Sequence, residues 1–264
     1  MCPARTGREA TPPGSAPAVV RAVAVLDALA ADDAASMSLS DLARTIGVPK
    51  SSTASICAAL ELGGLLVRED GGFALGRRLV GLGGAYLSRS DRVREFYAAC
   101  VAEPLLVGET VRLWALGGRD GICLGRYDGH PPVRLTVNIG DRLPASVTAA
   151  GKVMLAQFDD DEVCDLYAGA ALPRLTASSL GSLDALLADL HTARAQGYSI
   201  SVEEAFESVV ELAVVVPSRG TRTAPLAVGV TQHAATYSPD AATPLVAALR
   251  RVAAALGNPM QPAD

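Results

Sequence analysis

The side chains that carry out most protein chemistry are few in this chain and far apart. Its three histidines, His130, His191 and His233, lie at ligand spacing from no cysteine or acidic cluster, so no metal centre is expected. No GxSxG elbow or SxxK pair supplies a nucleophile with its base. The stretch Ser146–Val153 (SVTAAGKV) has the Gly-Lys of a phosphate loop. It lacks the first glycine, and valine stands where a magnesium-binding hydroxyl belongs. Gly81, Gly83 and Gly84 sit in a helical context and do not fit a dinucleotide fingerprint. The acidic run Asp159–Glu162 falls at a helix start, where negative charge complements the dipole. The expectation is no cofactor and no enzyme.

Two groupings suit binding instead. Lys50, Ser51, Ser52 and Thr53 crowd the start of a helix on which Ser51, Ser55 and Ala58 share one side. Ile56 and Leu60 face the other way, toward a core. A cation with hydroxyls at a helix end suits phosphate contacts and limited base reading, while the same residues also cap and solvate an ordinary helix. Ala149, Ala150 and Gly151 bring small residues to another helix start. Its free N–H groups can take an anion or a carbonyl oxygen, or the small side chains can serve close helix–sheet packing. Trp114, the only tryptophan, fits an aromatic wall of a site and a core position equally.

These residues need elements to place them. Residues 1–17, rich in Pro, Gly, Thr and Ala, read as a flexible tail. Val19, Val23, Leu26 and Ala30 recur as one helical face. Ser40 caps a second helix that Gly47 stops, and the turn Val48-Pro49 leads into a third helix over Lys50–Leu62. Leu65–Glu69 and Phe73–Leu75 flank Asp70-Gly71-Gly72 as a β-hairpin. Over 18–76 this order describes a winged helix-turn-helix, or else a plain three-helix bundle beside an unrelated hairpin. Residues 77–103 read as a helical connector, interrupted near Arg89–Asp91 and closed by Pro104.

From 104 to 264 the period changes. Strands are expected at Val111–Leu116, Ile122–Tyr127, Arg134–Val137, Tyr198–Val202, Leu212–Val216 and Leu226–Thr231. Helices are expected at Thr148–Phe158, Glu162–Tyr167, from Ser182 to Gly197, and at Asp240–Leu256. Hairpin-linked strands with segregated helices argue for an α+β domain on an antiparallel sheet.

Composition bounds the function. The chain has 264 residues, 50% of them apolar and 19% charged, which excludes a disordered polymer. No apolar run approaches the ~20 residues of a membrane span. The first residues carry no signal-peptide core and five scattered cysteines form no framework, so a cytoplasmic protein is expected. Residues 1–95 carry a net charge of +1 and residues 96–264 of −6, so any DNA contact must come from a small local surface.

The motifs then point to a family. Leu39–Ser52 (LSDLARTIGVPKSS) resembles the helix-turn-helix of IclR-type bacterial transcription regulators, and Phe73–Gly76 (FALG) their wing end. Gly140–Pro144, Ala150-Gly-Lys152 with Leu155-Ala156, and Arg194–Tyr198 with Glu203-Glu204 resemble their effector-domain signatures. The resemblance runs in family order from about residue 18 to 257. It implies an N-terminal winged helix-turn-helix, a linker helix and a C-terminal profilin- or GAF-like α/β effector domain. It also implies a homodimer, often a dimer of dimers, on a pseudo-palindromic double-stranded DNA operator under small-molecule control. DNA contacts then fall to Lys50, Ser51, Ser52, Thr53 and Ser55, the last standing where the family often has arginine. Arg44, Arg68, Arg77 and Arg78 join them.

In members that sense small oxo-acids, the effector positions match Ser201, Glu211, Gly229 and Thr231 here. With Trp114 and the Ala149–Gly151 turn these make the expected pocket, acceptors on one side and donors on the other. An ionised Glu211 would turn away oxo-acids and favour a ligand bearing N–H or O–H groups. The alternative for Glu211 is an edge-strand residue facing water. For the whole chain the alternative is a ligand-binding enzyme or carrier whose N-terminal part serves only oligomerisation.

Overall fold

A computed structural model of the chain describes residues 16–32, 36–129, 137–219 and 224–257. Most of the expected tail, His130 and all but Val137 of the expected strand Arg134–Val137 lie outside them. The described residues fall into two compact units that meet in sequence between Arg89 and Ser90. Among the described residues no helix is long and apolar enough to cross a membrane.

The first unit holds helices α1 (Pro17–Ala31), α2 (Leu39–Thr45) and α3 (Lys50–Leu62), then the hairpin β1 (Leu66–Glu69) and β2 (Gly72–Leu75), then α4 (Arg78–Ser88). Its core gathers Val25, Leu29, Leu42, Cys57, Leu60, Leu66 and Phe73. The helical face expected on α1 is therefore rotated. Val19 and Val23 are more than half exposed, because α1 carries apolar residues on more than one side and packing selects Val25 and Leu29. The cap of α2 is Ser38, not Ser40: its hydroxyl accepts the Asp41 N–H at 3.2 Å. Asp70 and Gly71, both at positive φ, close the hairpin, as a two-residue type I′ connection requires. Met37 adds a bridge to Phe73, with bonds of 2.9 and 2.8 Å, so the hairpin is tied back to the loop after α1.

The second unit opens with α5 (Asp91–Ala102), so the connector expected over 77–103 is divided between the two units. Around it stand β3 (Thr110–Gly117), β4 (Asp120–Tyr127), β5 (Arg142–Pro144), α6 (Ala149–Leu155), α7 (Asp160–Leu166), α8 (Leu183–Gln196), β6 (Ser199–Val202), β7 (Val209–Val216), β8 (Leu226–His233) and α9 (Pro239–Gly257). The strands form one antiparallel sheet in the order β5-β4-β3-β8-β7-β6. Alternation along each strand gives the sheet two apolar faces. On one, α5 lies alongside α9, which presents Leu245, Leu249, Val252 and Leu256, all buried, to β7 and β8. On the other, α6 packs Ala149, Ala150, Val153 and Met154 against Trp114, Ala213 and Ala227. Gly197, at φ 73°, stops α8 as its sequence requires.

Candidate functional site

On the first unit the surface of α3 is set by its phase. Lys50, Ser51, Ser55, Ala58 and Ala59 point outward while Cys57 and Leu60 enter the core. Thr53, expected at the interface, is instead fully buried. Its hydroxyl donates to the Pro49 carbonyl at 3.2 Å and the Val48 carbonyl at 3.4 Å, so it fastens the turn before α3 rather than facing outward. Ser52 is half-buried. The arginines divide. Arg44 pairs with Asp41, and Arg68 lies 3.1 Å from Glu61 and over the Phe73 ring at 4.6 Å. Arg78 donates to the Gly63 carbonyl at 2.7 Å. Lys50 and Arg77 are exposed and make no ion pair among the described residues. The outward face is polar, compact and only mildly basic.

On the second unit, one sheet face carries two cross-strand rows of functional side chains. Register places Thr110, Thr231, Glu211 and Ser201 abreast, and Arg112, Gly229, Ala213 and Ser199 abreast beside them. Between this face, α6 and the 203–208 loop lies a cavity of about 360 Å³ of atom-free space, part of it continuous with solvent. Arg112, Trp114, Thr148, Ser201, Glu211 and Thr231 form its polar part, and Val137, Leu143, Phe206 and Val209 its apolar part. Four expected site residues, Trp114, Ser201, Glu211 and Thr231, thus come together.

The others take a different part. Ala149, Ala150, Gly151 and Gly229 are not on the wall. Glu211 Oε2 accepts the Ala149 N–H at 2.8 Å, and Gly151 donates to Thr148 Oγ1 at 3.0 Å. The Ala149 donor and the Glu211 acceptor, expected to face each other across an open cavity, are bonded to each other. Close approach accounts for both glycines, by backbone at Gly151 and first by a side chain at Gly229. A Cβ at Gly151 would lie 2.2 Å from the Ala145 carbonyl oxygen, and one at Gly229 would lie 3.1 Å from Glu211 Oε1. The water-facing alternative for Glu211 is also excluded, since β7 runs inside the sheet and Glu211 is buried. Burial pushes its carboxyl up to about 7, against the pull of the Ala149 amide and the Arg112 charge.

Arg112 is the residue that sequence reasoning missed. It is 2% exposed, and its Nη1 donates to Thr231 Oγ1 at 2.7 Å. Burial lowers its pKa and Glu211 opposes that. Its signal was present: an arginine inside the apolar run Val111–Leu116, in phase with Trp114.

A second buried charge supports the site from behind. Lys152 on α6 is wholly buried, with Nζ 2.5 Å from Glu204 Oε1 and 2.7 Å from Asp189 Oδ2. Burial raises the Glu204 pKa, and Lys152 opposes it. The loop that follows β6 carries Phe206 over the cavity between Glu203 and Ser208, both at positive φ. Thr176 and Ser179 hold it by donating to the Glu203 and Glu204 carbonyls at 2.6 and 2.7 Å. The acidic run behaves as expected. Asp159 forms a capping box with Glu162, and Asp160 pairs with Arg194 and His191. Among the described residues no His, Cys, Asp and Glu side chains group as a metal site.

A winged helix-turn-helix on one unit and a partly open cavity with buried polar lining residues on a separate α+β unit define a ligand-responsive transcription regulator. The C-terminal domain of IclR bacterial transcriptional regulators matches residues 89–258, and the IclR helix-turn-helix domain matches residues 18–70. The chain belongs to the IclR family, with a helix-turn-helix DNA-binding domain and a C-terminal effector-binding domain. The transcriptional regulator XynR of Escherichia coli K12 is 31% identical over 207 residues, 77% of this chain and 81% of that protein. The transcriptional repressor AllR of the same strain is 28% identical over 197 residues, 72% of this chain and 70% of that protein. The fold matches the crystal structure of an IclR transcriptional regulator from Alicyclobacillus acidocaldarius at a TM-score of 0.78. That match has 22% identity and covers 92% of this chain and 98% of that one.

Proposed function

We propose that the outward face of α3, with Lys50, Ser51, Ser52 and Ser55, reads operator DNA and that the cavity on the second unit receives the effector. Arg77 flanks α3 in this reading as a phosphate contact. Arg44, Arg68 and Arg78 reach phosphate only by giving up the partners described above, and Thr53 is left out. The observation that carries the reading is the pairing of an exposed hydroxyl-rich helix with a cavity whose buried polar lining, Arg112 above all, is built to receive something. Coupling between the two is a linkage: whatever factor the effector imposes on DNA affinity, DNA imposes on effector affinity.

The chain acts as a cytoplasmic homodimer without enzymatic activity in this proposal. Val80, Leu82 and Tyr86 of α4 and Val19, Val20 and Val23 of α1 are largely exposed, and α4 buries none of its own residues. A second copy is the natural cover for such a surface. Selection of bound fragments from fragmented genomic DNA, followed by footprinting, tests the reading. A protected pseudo-palindrome with half-sites about one helical turn apart is expected. No selected sequence, or a monomer in sedimentation, rejects it.

A further inference from the structure

The wall of the cavity that carries Phe206 is held unlike the others. The sheet and α6 are built on backbone hydrogen bonds, whereas residues 204–207 make no backbone–backbone hydrogen bond among the described residues. The ends of this short span are fastened. The Glu203 N–H donates to the Val209 carbonyl at 2.7 Å, and the Ser208 carbonyl accepts the Ala234 N–H at 2.8 Å. Both end residues stand at positive φ, which a non-glycine residue keeps only while its surroundings hold it there. What lies between is held by side chains. Thr176 and Ser179 take the carbonyls already described, and Lys152 takes the Glu204 carboxylate.

The bond to Lys152 is arranged so that it can break without stranding a charge. Lys152 Nζ also meets Asp189 Oδ2 on α8, so the buried cation keeps one carboxylate when Glu204 leaves. Glu204 gains a partner by leaving, because its Oε2 is buried without one among the described residues and water supplies it outside. Next along the chain, Ala205 and Phe206 complete the cavity wall, and Phe206 packs on the cluster that holds Trp114.

We propose that residues 204–207 are a gate over the cavity, hinged at Glu203 and Ser208 and latched by Lys152 on Glu204, and that a ligand enters beneath Phe206. Lys152 and Glu204 are then positioning residues, which touch no ligand and decide whether the wall stands closed. The proposal rests on reading the cavity as the effector site and adds how that site opens. A short span without backbone bonds, between fastened ends, opens locally while the sheet and α6 stay as they are.

Trp114 is the only tryptophan of the chain and is 2% exposed on the cavity wall, so its emission reports access to the cavity without any ligand. The test is quenching of that emission by acrylamide in the full chain, with a thermal melt of each variant beside it. Trp114 is expected to be shielded in the unaltered chain. Glu204→Ala removes the latch and is expected to raise the quenching constant about two-fold or more. Phe206→Ala is expected to do the same and serves if Glu204→Ala does not fold. Asp189→Ala takes the other carboxylate from the same ammonium. It is expected to lower the melting temperature and to leave quenching unchanged. Free quenching in the unaltered chain, no rise in the folded loop variants, or a rise in Asp189→Ala equal to that of the loop variants each overturns the proposal. None of these measurements uses DNA, so the gate can fail while the regulator stands. Genomic-fragment selection on the same preparations covers the converse: a chain that selects no DNA while its loop variants expose Trp114 keeps the gate and loses the regulator.

Discussion

Glu211 accepts the backbone N–H of Ala149 at 2.8 Å, so a strand carboxylate serves the first turn of a helix that begins 62 residues earlier in the chain. The same bond decides how the site answers to pH, how it tolerates substitution and what is left for a ligand.

Glu211 makes the second unit less stable at neutral pH. Its folded pKa of about 7 lies above the ordinary 4.5, so the folded state keeps a proton that the unfolded chain releases. The contribution is full below about 4.5, is lost as pH rises toward about 7, and is constant above that. A difference of that size is worth about 3 kcal/mol. Urea melts followed by Trp114 fluorescence are expected to show stability falling across this window, with Glu211→Gln removing most of the slope. An unchanged slope in the variant counts against the buried carboxyl.

Gly151→Ala is expected to be among the worst single substitutions in the second unit. The added methyl meets the Ala145 backbone, which is not free to move aside, and overpacking of this kind costs ~3 kcal/mol or more. Gly181→Ala is the control, since its Cβ meets nothing within 4 Å. Thermal melts that shift equally for the two would show that the close approach is not real.

Lys152→Met strands Glu204 as a buried acid without its cation, at a cost of ~3–5 kcal/mol. Adding Glu204→Gln to the same chain is expected to restore much of the loss, because the unpaired charge goes with it. Additive losses in the double variant would mean that the two residues act separately.

DNA binding separates three residues of α3. Lys50→Ala is expected to weaken all sequences alike and to flatten the salt dependence by about one unit of slope. Ser51→Ala is expected to change preference among sites. Thr53→Val is expected to lower the stability of the first unit by ~1 kcal/mol, through its lost bonds to the turn, and to leave the salt slope alone. A Thr53→Val chain with altered site preference would return that residue to the interface.

A fragment beginning at Ser90 is expected to fold, and one beginning at Pro104 is not. The difference is α5, whose Phe96 and Cys100 are fully buried and whose Phe96 ring packs on Gly125. Removing a buried phenylalanine alone costs ~3–5 kcal/mol. Two equally cooperative melts would show that α5 is dispensable to the second unit.

The sequence made local features easy to read and tertiary ones hard. The bounds of α3, the Asp70-Gly71 turn, the Ser182 cap and the buried stripe of α9 all follow from signals within a few residues. Two serines flank Leu39, and only the Asp41 amide decides which one caps. Thr53 looks like a surface hydroxyl until its own helix start supplies the carbonyls it needs. Small β5, with three residues, and the Met37–Phe73 bridge have no local pattern at all. At the site, Ser201, Glu211 and Thr231 were legible through family likeness, and Trp114 only as the single tryptophan, for which a core position was equally expected. Arg112 was not, since desolvation argues against a charge in an apolar strand unless its partners, here distant in sequence, are known.

Gly229 also constrains how this chain can change over generations. A Cβ there would lie 3.1 Å from Glu211 Oε1, 3.2 Å from the Leu212 carbonyl oxygen and 3.3 Å from the Ala213 methyl, so a larger residue asks all three neighbours to give. Shortening Glu211 relieves one of the three and leaves the Ala149 amide without its acceptor. A lineage that enlarges 229 therefore still meets the backbone of β7, whichever of the two positions changes first.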